Sequence, residues 1–344
     1  MKKIVVISAA AVLAASMLSV VVPQASAAPT HEPNVPVTSS STLSTQAAAT
    51  TKYWTAARMA SAKPIDKVGP KTNPTAAPAQ SQGVSVGAPA SVAPSLPKAA
   101  LPTLVPKLTY TTGAVPRPYT NFPDRLNGKV FFTQGGLNYV CSGTVVNSTN
   151  KDMIDTAGHC VSDGVGHFHT NWAFVPAYSS SVRGQQPYGI WPARNLNTMT
   201  EWHVYSNLKE DLGYANLQTV SGRHIVNYLG GQGTAWNQFL PTIYEFGYPQ
   251  AAPYNGFDQR LTVSRITAFD DPYQGRYGPL TIKINSTQTG GTSGGGWLIS
   301  LSTTTGLGWV NSHSSYRYSN NASTLYGPYY GRDSLSLYNA TRVR

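Results

Sequence analysis

Cys141-Ser142-Gly143-Thr144-Val145-Val146-Asn147, then Ser148-Thr149-Asn150, then Lys151-Asp152-Met153-Ile154-Asp155-Thr156 running into Ala157-Gly158-His159-Cys160, is the stretch on which the fold turns. Two short runs rich in β-branched residues flank three turn formers, the pattern of an antiparallel hairpin. A hairpin returns the chain on itself and can bring Cys141 and Cys160 within bridging range. A disulfide closing such a loop is worth about 3 kcal/mol in the chain-entropy model; two buried free thiols are the alternative. His159 stands beside the second cysteine at a strand end. A stapled imidazole suits a general base, because its ordinary pKa of about 6.5 lets it take and return a proton near neutrality.

Outward from the hairpin, similar short runs recur: Lys129-Val130-Phe131-Phe132 before it, and residues 172–175, 242–247, 261–268, 280–284, 297–301 and 307–310 after it. Gly, Asn and Asp clusters separate them, and no fixed-period repeat links them. Many short strands with turn signals predict an all-β sandwich or barrel. Residues 116–344, 229 in number, suit a double antiparallel barrel better than one small sheet.

Two distant stretches complete the constellation. In Gly290-Gly291-Thr292-Ser293-Gly294-Gly295-Gly296 a serine flanked by glycines can expose its Oγ on a tight turn. The amides of Gly291 and Ser293 can converge on a developing oxyanion; a flexible Gly/Ser loop is the plainer reading. A carboxylate is needed to orient His159. Asp211, at the head of Leu212-Gly213-Tyr214-Ala215-Asn216-Leu217, is the first choice, with Glu210 its competitor and Asp155, Asp163 and Glu201 behind.

The rest of the chain reads differently. Lys2 and Lys3, an apolar stretch from Ile4 to Val22 and Ala25-Ser26-Ala27 form the three parts of a signal peptide over 1–27, a membrane anchor being the alternative. From 28 to 115 the chain is rich in Pro, Ala, Ser and Thr, which predicts a disordered leader: a clipped or inhibitory propeptide, or else a spacer to the cell surface. The formal charge is +11, from 25 Lys and Arg against 14 Asp and Glu. Up to residue 115 there are nine basic and two acidic side chains, a net +7; the remainder, 16 against 12, carries only +4. The charge therefore gives no support to a nucleic-acid partner.

His159, Asp211 and Ser293 in that order, with Cys-Ser-Gly-Thr-Val-Val leading to Thr-Ala-Gly-His-Cys and a Gly-Thr-Ser-Gly-Gly box, resemble the chymotrypsin-fold serine peptidases. The likeness spans about residues 125 to 315 and is greatest to the secreted bacterial trypsin-like and glutamyl-endopeptidase-like branch. It implies two six-stranded antiparallel barrels with the site between them, His159 as base, Asp211 as its orienter, Ser293 as nucleophile, and Gly291 with Ser293 as oxyanion hole. It further implies a secreted endopeptidase acting on proteins or peptides, monomeric, with no cofactor, no metal, and no membrane insertion after signal cleavage. A silent peptidase-fold binding protein at the cell surface is the alternative.

Departures accompany the matches. Thr292 replaces an Asp that often precedes the nucleophile, no second disulfide brackets that loop, and Asp155 stands where an apolar residue is usual. For the specificity pocket the resemblance points to Thr287, in place of an acidic floor, and to His313 on a wall; together these predict a preference for Glu before the cut bond. His167 and His169 alternate on a strand and lack convincing partners for a metal. The many tyrosines are read as core and interface packing rather than as a ligand platform.

Overall fold

Lys129-Val130-Phe131-Phe132 alternates as a strand must, but both of its faces are apolar and both are covered. Val130 and Phe132 point into one core, while Phe131 joins another on the opposite face. The computed structural model describes residues 34–39, 45–65, 87–98, 109–180, 182, 185–238, 240–269 and 280–344. The segment read as a signal peptide lies outside them.

Before residue 116 the chain forms β1 (Pro36–Thr38), helices α1 (Ala47–Tyr53) and α2 (Ala56–Ser61), β2 (Lys63–Pro64), β3 (Ala90–Val92) and β4 (Gly113–Ala114). There follow β5 (Asn127–Gln134), β6 (Leu137–Val146), β7 (Met153–Ala157), β8 (Thr170–Pro176), β9 (Trp191–Met199) and β10 (Leu212–Leu217). These six pair antiparallel in the order β5, β6, β7, β10, β9, β8, and β8 returns to β5, closing a barrel. Closure removes the exposed edges that an open sheet would present.

The second sheet is built from β11 (Gly233–Trp236), β12 (Thr242–Gly247), β13 (Arg260–Phe269), β14 (Thr281–Asn285), β15 (Gly296–Ile299), β16 (Trp309–His313) and β17 (Thr324–Pro328). Its order is β17, β14, β13, β12, β15, β16, β11, antiparallel apart from the β11–β16 pair. A C-terminal helix, α3 (Arg332–Thr341), packs Leu337 and Tyr338 into a shared core with Met153, Leu212, Phe246 and Leu298. Since those residues come from both sheets, one apolar layer fixes the two sheets against each other. The protein is all-β in its core and has the two-barrel architecture expected.

The disordered leader is corrected wherever its residues are described. β1 adds to the edge of β9, β3 to β11 and β4 to β13, all antiparallel, and β2 runs parallel beside β6. Added edge strands satisfy backbone groups with no core of their own. The Ala-rich run from 47 to 62 forms α1 and α2, and between them Trp54 is 2% exposed. Trp54, Met59 and Ala62 lie against Phe131, Val140, Ala173, Val175 and Tyr178, the outer face of the first barrel. Proline content concealed this, whereas Tyr53-Trp54 and Met59 were the signal that an anchor was present.

Lys129 is buried under the same layer. Its ammonium donates to Gln250 Oε1 at 2.8 Å and to the Gly256 carbonyl at 3.0 Å, and burial pushes its pKa down to about 7. From about 7 up to the ordinary 10.5 the unfolded chain holds a proton that the folded chain does not, so this group makes stability rise with pH across that window. Lys129→Met is expected to flatten that rise. Urea midpoints at pH 7 and pH 9.5 measure it; an unchanged slope would show that Lys129 is not the source.

Candidate active site

Hairpin β6–β7 ends in a 3-10 turn, Gly158–Cys160, that presents His159. Cys141 and Cys160 form a disulfide with their Cα atoms 6.1 Å apart, which braces that turn. His159 Nδ1 lies 2.8 Å from Asp211 Oδ2, and the His159 amide donates to Asp211 Oδ1 at 2.7 Å. An ionised carboxylate only accepts hydrogen bonds, so the ring carries a hydrogen on Nδ1, and Nε2 is the nitrogen turned away from Asp211. Burial pushes the Asp211 carboxyl up, but the His159 imidazole, the charge of His313 and the Ser315 hydroxyl outweigh it and hold the acid below its ordinary value. Glu210 is not the partner: its carboxyl is raised well above the usual range by burial and by Asp333.

Ser293 is tied to the same hairpin. The Ser142 amide donates to the Ser293 carbonyl at 2.7 Å, and Cys160 Sγ is 3.6 Å from that oxygen. Two glycines make the loop possible. At φ +103° Gly291 adopts a backbone that side chains disfavour, and a Cβ there would lie 2.7 Å from the Tyr248 carbonyl. Gly294, at φ +78°, passes so close to Thr156 that a Cβ would collide with its hydroxyl. Thr292 Oγ1 donates to Gln288 Oε1 at 2.9 Å, a neutral hydrogen bond at the position where an acid was absent from the sequence.

Among the described residues His159 Nε2 has no hydrogen-bond partner, and Ser293 Oγ makes a long contact, 3.5 Å, to the carbonyl of Ile65. Ile65 follows β2, and Gln250 Nε2 donates to the Ala62 carbonyl at 2.6 Å just before it. The leader thus crosses directly over the serine. His159 is 0% and Ser293 4% exposed.

Beside Ser293, Thr289, Thr292, Ser314, Ser315 and Arg317 line a small pocket. Neither expected pocket residue is in this lining. Thr287 is exposed and its Oγ1 is 3.1 Å from the Tyr254 hydroxyl. His313 is fully buried on the far side of Asp211, between the Asp211 carbonyl, Asp155 and Tyr330. A one-residue displacement along an extended segment moves a side chain to the other face, so Ser314 occupies the wall assigned to His313. Sequence reasoning missed Arg317, two residues past the two serines.

His167 pairs with Asp163 at 2.9 Å, whereas His169 turns its Nε2 to the His159 carbonyl at 3.0 Å, so the two histidines do not converge. Cys141, His159 and Cys160 are close together, but both sulfurs are committed to the disulfide. No helix among the described residues is long and apolar enough to cross a membrane.

No protein-family model and no curated protein matches the chain. Among solved structures it is similar to the protease Anisep from Arthrobacter nicotinovorans, at 39% identity and a TM-score of 0.58, covering 64% of this chain and 96% of that one. It is similar also to the thermostable serine protease AL20 from an extremophilic microorganism, at 34% identity and TM-score 0.57, over 64% and 97% of the two chains. A Glu endopeptidase shares the fold at 17% identity and TM-score 0.51, over 69% and 100%. At 39% and 34% identity over nearly the full length of two such enzymes, this chain belongs to the bacterial chymotrypsin-fold serine proteases and is a peptide-bond hydrolase.

Proposed function

We propose that the protein is a secreted serine endopeptidase made as a zymogen, with Ser293 as nucleophile, His159 as general base and Asp211 as its orienter. The observation that carries this reading is the buried Asp211–His159 hydrogen bond, which leaves Nε2 unpartnered among the described residues, near a glycine-bounded serine. Ser293 Oγ attacks the peptide carbonyl and gives its proton to His159 Nε2, while the Gly291 and Ser293 amides hold the oxyanion. His159 then protonates the leaving amine, and a water molecule, deprotonated by the same nitrogen, releases the acyl group. The segment Ala62–Ile65 keeps the serine covered until it is removed. The disulfide and the signal-like N-terminus support export. A serine-directed organophosphonate is expected to label Ser293 in the leader-free protein; no adduct there would favour a silent binding protein instead.

The same reading extends to a preference for Glu, then Asp, before the cut bond. The pocket beside Ser293 is lined by hydroxyls and has one guanidinium, Arg317, which can pair with a carboxylate. Arg317→Ala is expected to lower kcat/KM for a Glu substrate at least tenfold more than for its Gln counterpart. A peptide-library profile led by Lys, Arg or large apolar residues would overturn the preference and leave the enzyme reading intact.

A further inference from the structure

Asp155, the carboxylate standing where an apolar residue is usual, and His313, which lies away from the pocket wall expected for it, are neighbours. Asp155 on β7 is fully buried, and His313 closes β16 equally buried. His313 Nε2 is 2.8 Å from the Asp211 carbonyl. A carbonyl oxygen only accepts, so Nε2 bears a hydrogen. On the other side of the ring, Nδ1 lies 3.3 Å from Asp155 Oδ1 and 2.8 Å from the Tyr330 hydroxyl. Tyr330 has a single hydrogen, which it donates to Asp155 Oδ2 at 2.6 Å. With Asp155 ionised, both atoms facing Nδ1 are acceptors, and Nδ1 then bears a hydrogen as well.

We propose that Asp155 and His313 form a second carboxylate–imidazole pair, stacked behind the first, whose work is to position Asp211. This rests on the triad reading given above. The end of β16 grips Asp211 at two points: His313 donates to its backbone oxygen, and Ser315 donates from its hydroxyl to Oδ2. The Gly158 amide adds a third bond to the Asp211 carbonyl at 3.0 Å. Asp211 in turn holds His159 through both of its carboxylate oxygens. A chain of direct hydrogen bonds therefore runs from Asp155 through His313 and Asp211 to His159.

Each member of the pair shifts the titration of the other. Burial pushes the His313 ring down, but the hydrogen bond to Asp155 and the charges of Asp155 and Asp211 outweigh it and raise the ring above its ordinary value. Burial outweighs the hydrogen bonds from His313 and Tyr330 and leaves the Asp155 carboxyl above its ordinary value. The ionisable groups around the pair are Asp155, Asp211, Tyr330 on one side, and Tyr214, which lies opposite Asp155 across the β7–β10 ladder. When protonated, His313 is a cation behind Asp211 and stabilises its ionised form, the one that orients His159.

A positioning role predicts a specific kinetic pattern. His313→Leu removes the donor to Asp211, and a catalytic group displaced by about 1 Å can cost about a hundredfold in rate. In the full-length chain matured by limited proteolysis, kcat per active site, counted by burst titration, is expected to fall about a hundredfold with KM within twofold. His313→Gln keeps an amide donor toward Asp211 and is expected to recover all but about fivefold. Asp155→Asn is expected to cost about tenfold, and the double variant Asp155→Asn, His313→Leu to be no worse than His313→Leu alone, because the two residues act as one unit. Should His313→Leu fail to fold, His313→Gln and Asp155→Asn still decide the matter. Variants that lose titratable sites while each remaining site keeps parental kcat would reduce the pair to a structural part and overturn the proposal, as would additive losses. Absence of a burst in the parent enzyme would sink the triad reading as well, and so tells the two failures apart.

Discussion

Ser293→Ala is expected to lower kcat of the matured enzyme by about 10⁵- to 10⁶-fold and to abolish labelling by an organophosphonate, with the folded structure unchanged. The size follows from the unit character of a nucleophile and its base: without the hydroxyl, His159 Nε2 has nothing to deprotonate, and only binding and the oxyanion amides remain to help water attack. The substitution removes one oxygen whose described contact is the long one to Ile65, so the melting temperature should stay within about 2 °C. Matured parent and variant, compared by steady-state rate and by mass after incubation with the reagent, supply the test. Retention of more than about 1% of the rate, or an adduct on a different residue of an otherwise active protein, would remove Ser293 from its role.

The second large effect concerns the leader. Trp54 is the main anchor of the segment over Ser293: it is buried among Phe131, Val140 and Tyr178, and its indole donates to the Asn171 carbonyl at 2.5 Å. Truncating a buried aromatic to alanine costs about 3 to 5 kcal/mol, which corresponds to at least a hundredfold shift in the seated-to-released ratio of the leader. The intact full-length chain is expected to be nearly inactive, and its Trp54→Ala variant to show an initial rate about a hundredfold higher, with the mass of the chain verified before and after the assay. Leu96→Ala, at an exposed leader position, serves as control and should change nothing. An intact parent chain as active as the matured enzyme would refute the covered-serine reading.

Much of the barrel scaffold was legible in the sequence because its strands announce themselves by composition. The hairpin from Cys141 to Cys160, the runs at 129–132, 172–175, 242–247 and 261–268, and the bridge between the two cysteines all lie where those residues predict. Asp211, which the sequence ranks ahead of Glu210, is the carboxylate hydrogen-bonded to His159, since an acid at a strand head can turn inward while its neighbour turns away. The pocket was less legible. The faces of Ser314 and His313 depend on where an extended segment begins, and strand ends are the least defined part of a pattern. In the leader only Tyr53-Trp54 and Met59 gave a signal of order; its strands did not, because β1 to β4 have no core of their own and gain their partners from β6, β9, β11 and β13. The Asp155–His313 pair lay beyond reach for a related reason: two residues 158 positions apart meet only once both sheets are assembled.

The loop bearing Ser293 is already fastened while the leader is still seated. The Gly290 carbonyl is taken by the amides of Gln250 and Ala251, Thr292 is bonded to Gln288, and the Gly294 amide donates to the Ser314 carbonyl. None of these bonds calls on a charge at a newly cut chain end. On the zymogen reading proposed above, maturation would be an uncovering rather than an assembly. Such an enzyme tolerates ragged processing: whichever protease trims the leader, and at whichever residue it stops, the product works as soon as the segment leaves, with no lag for a site to form.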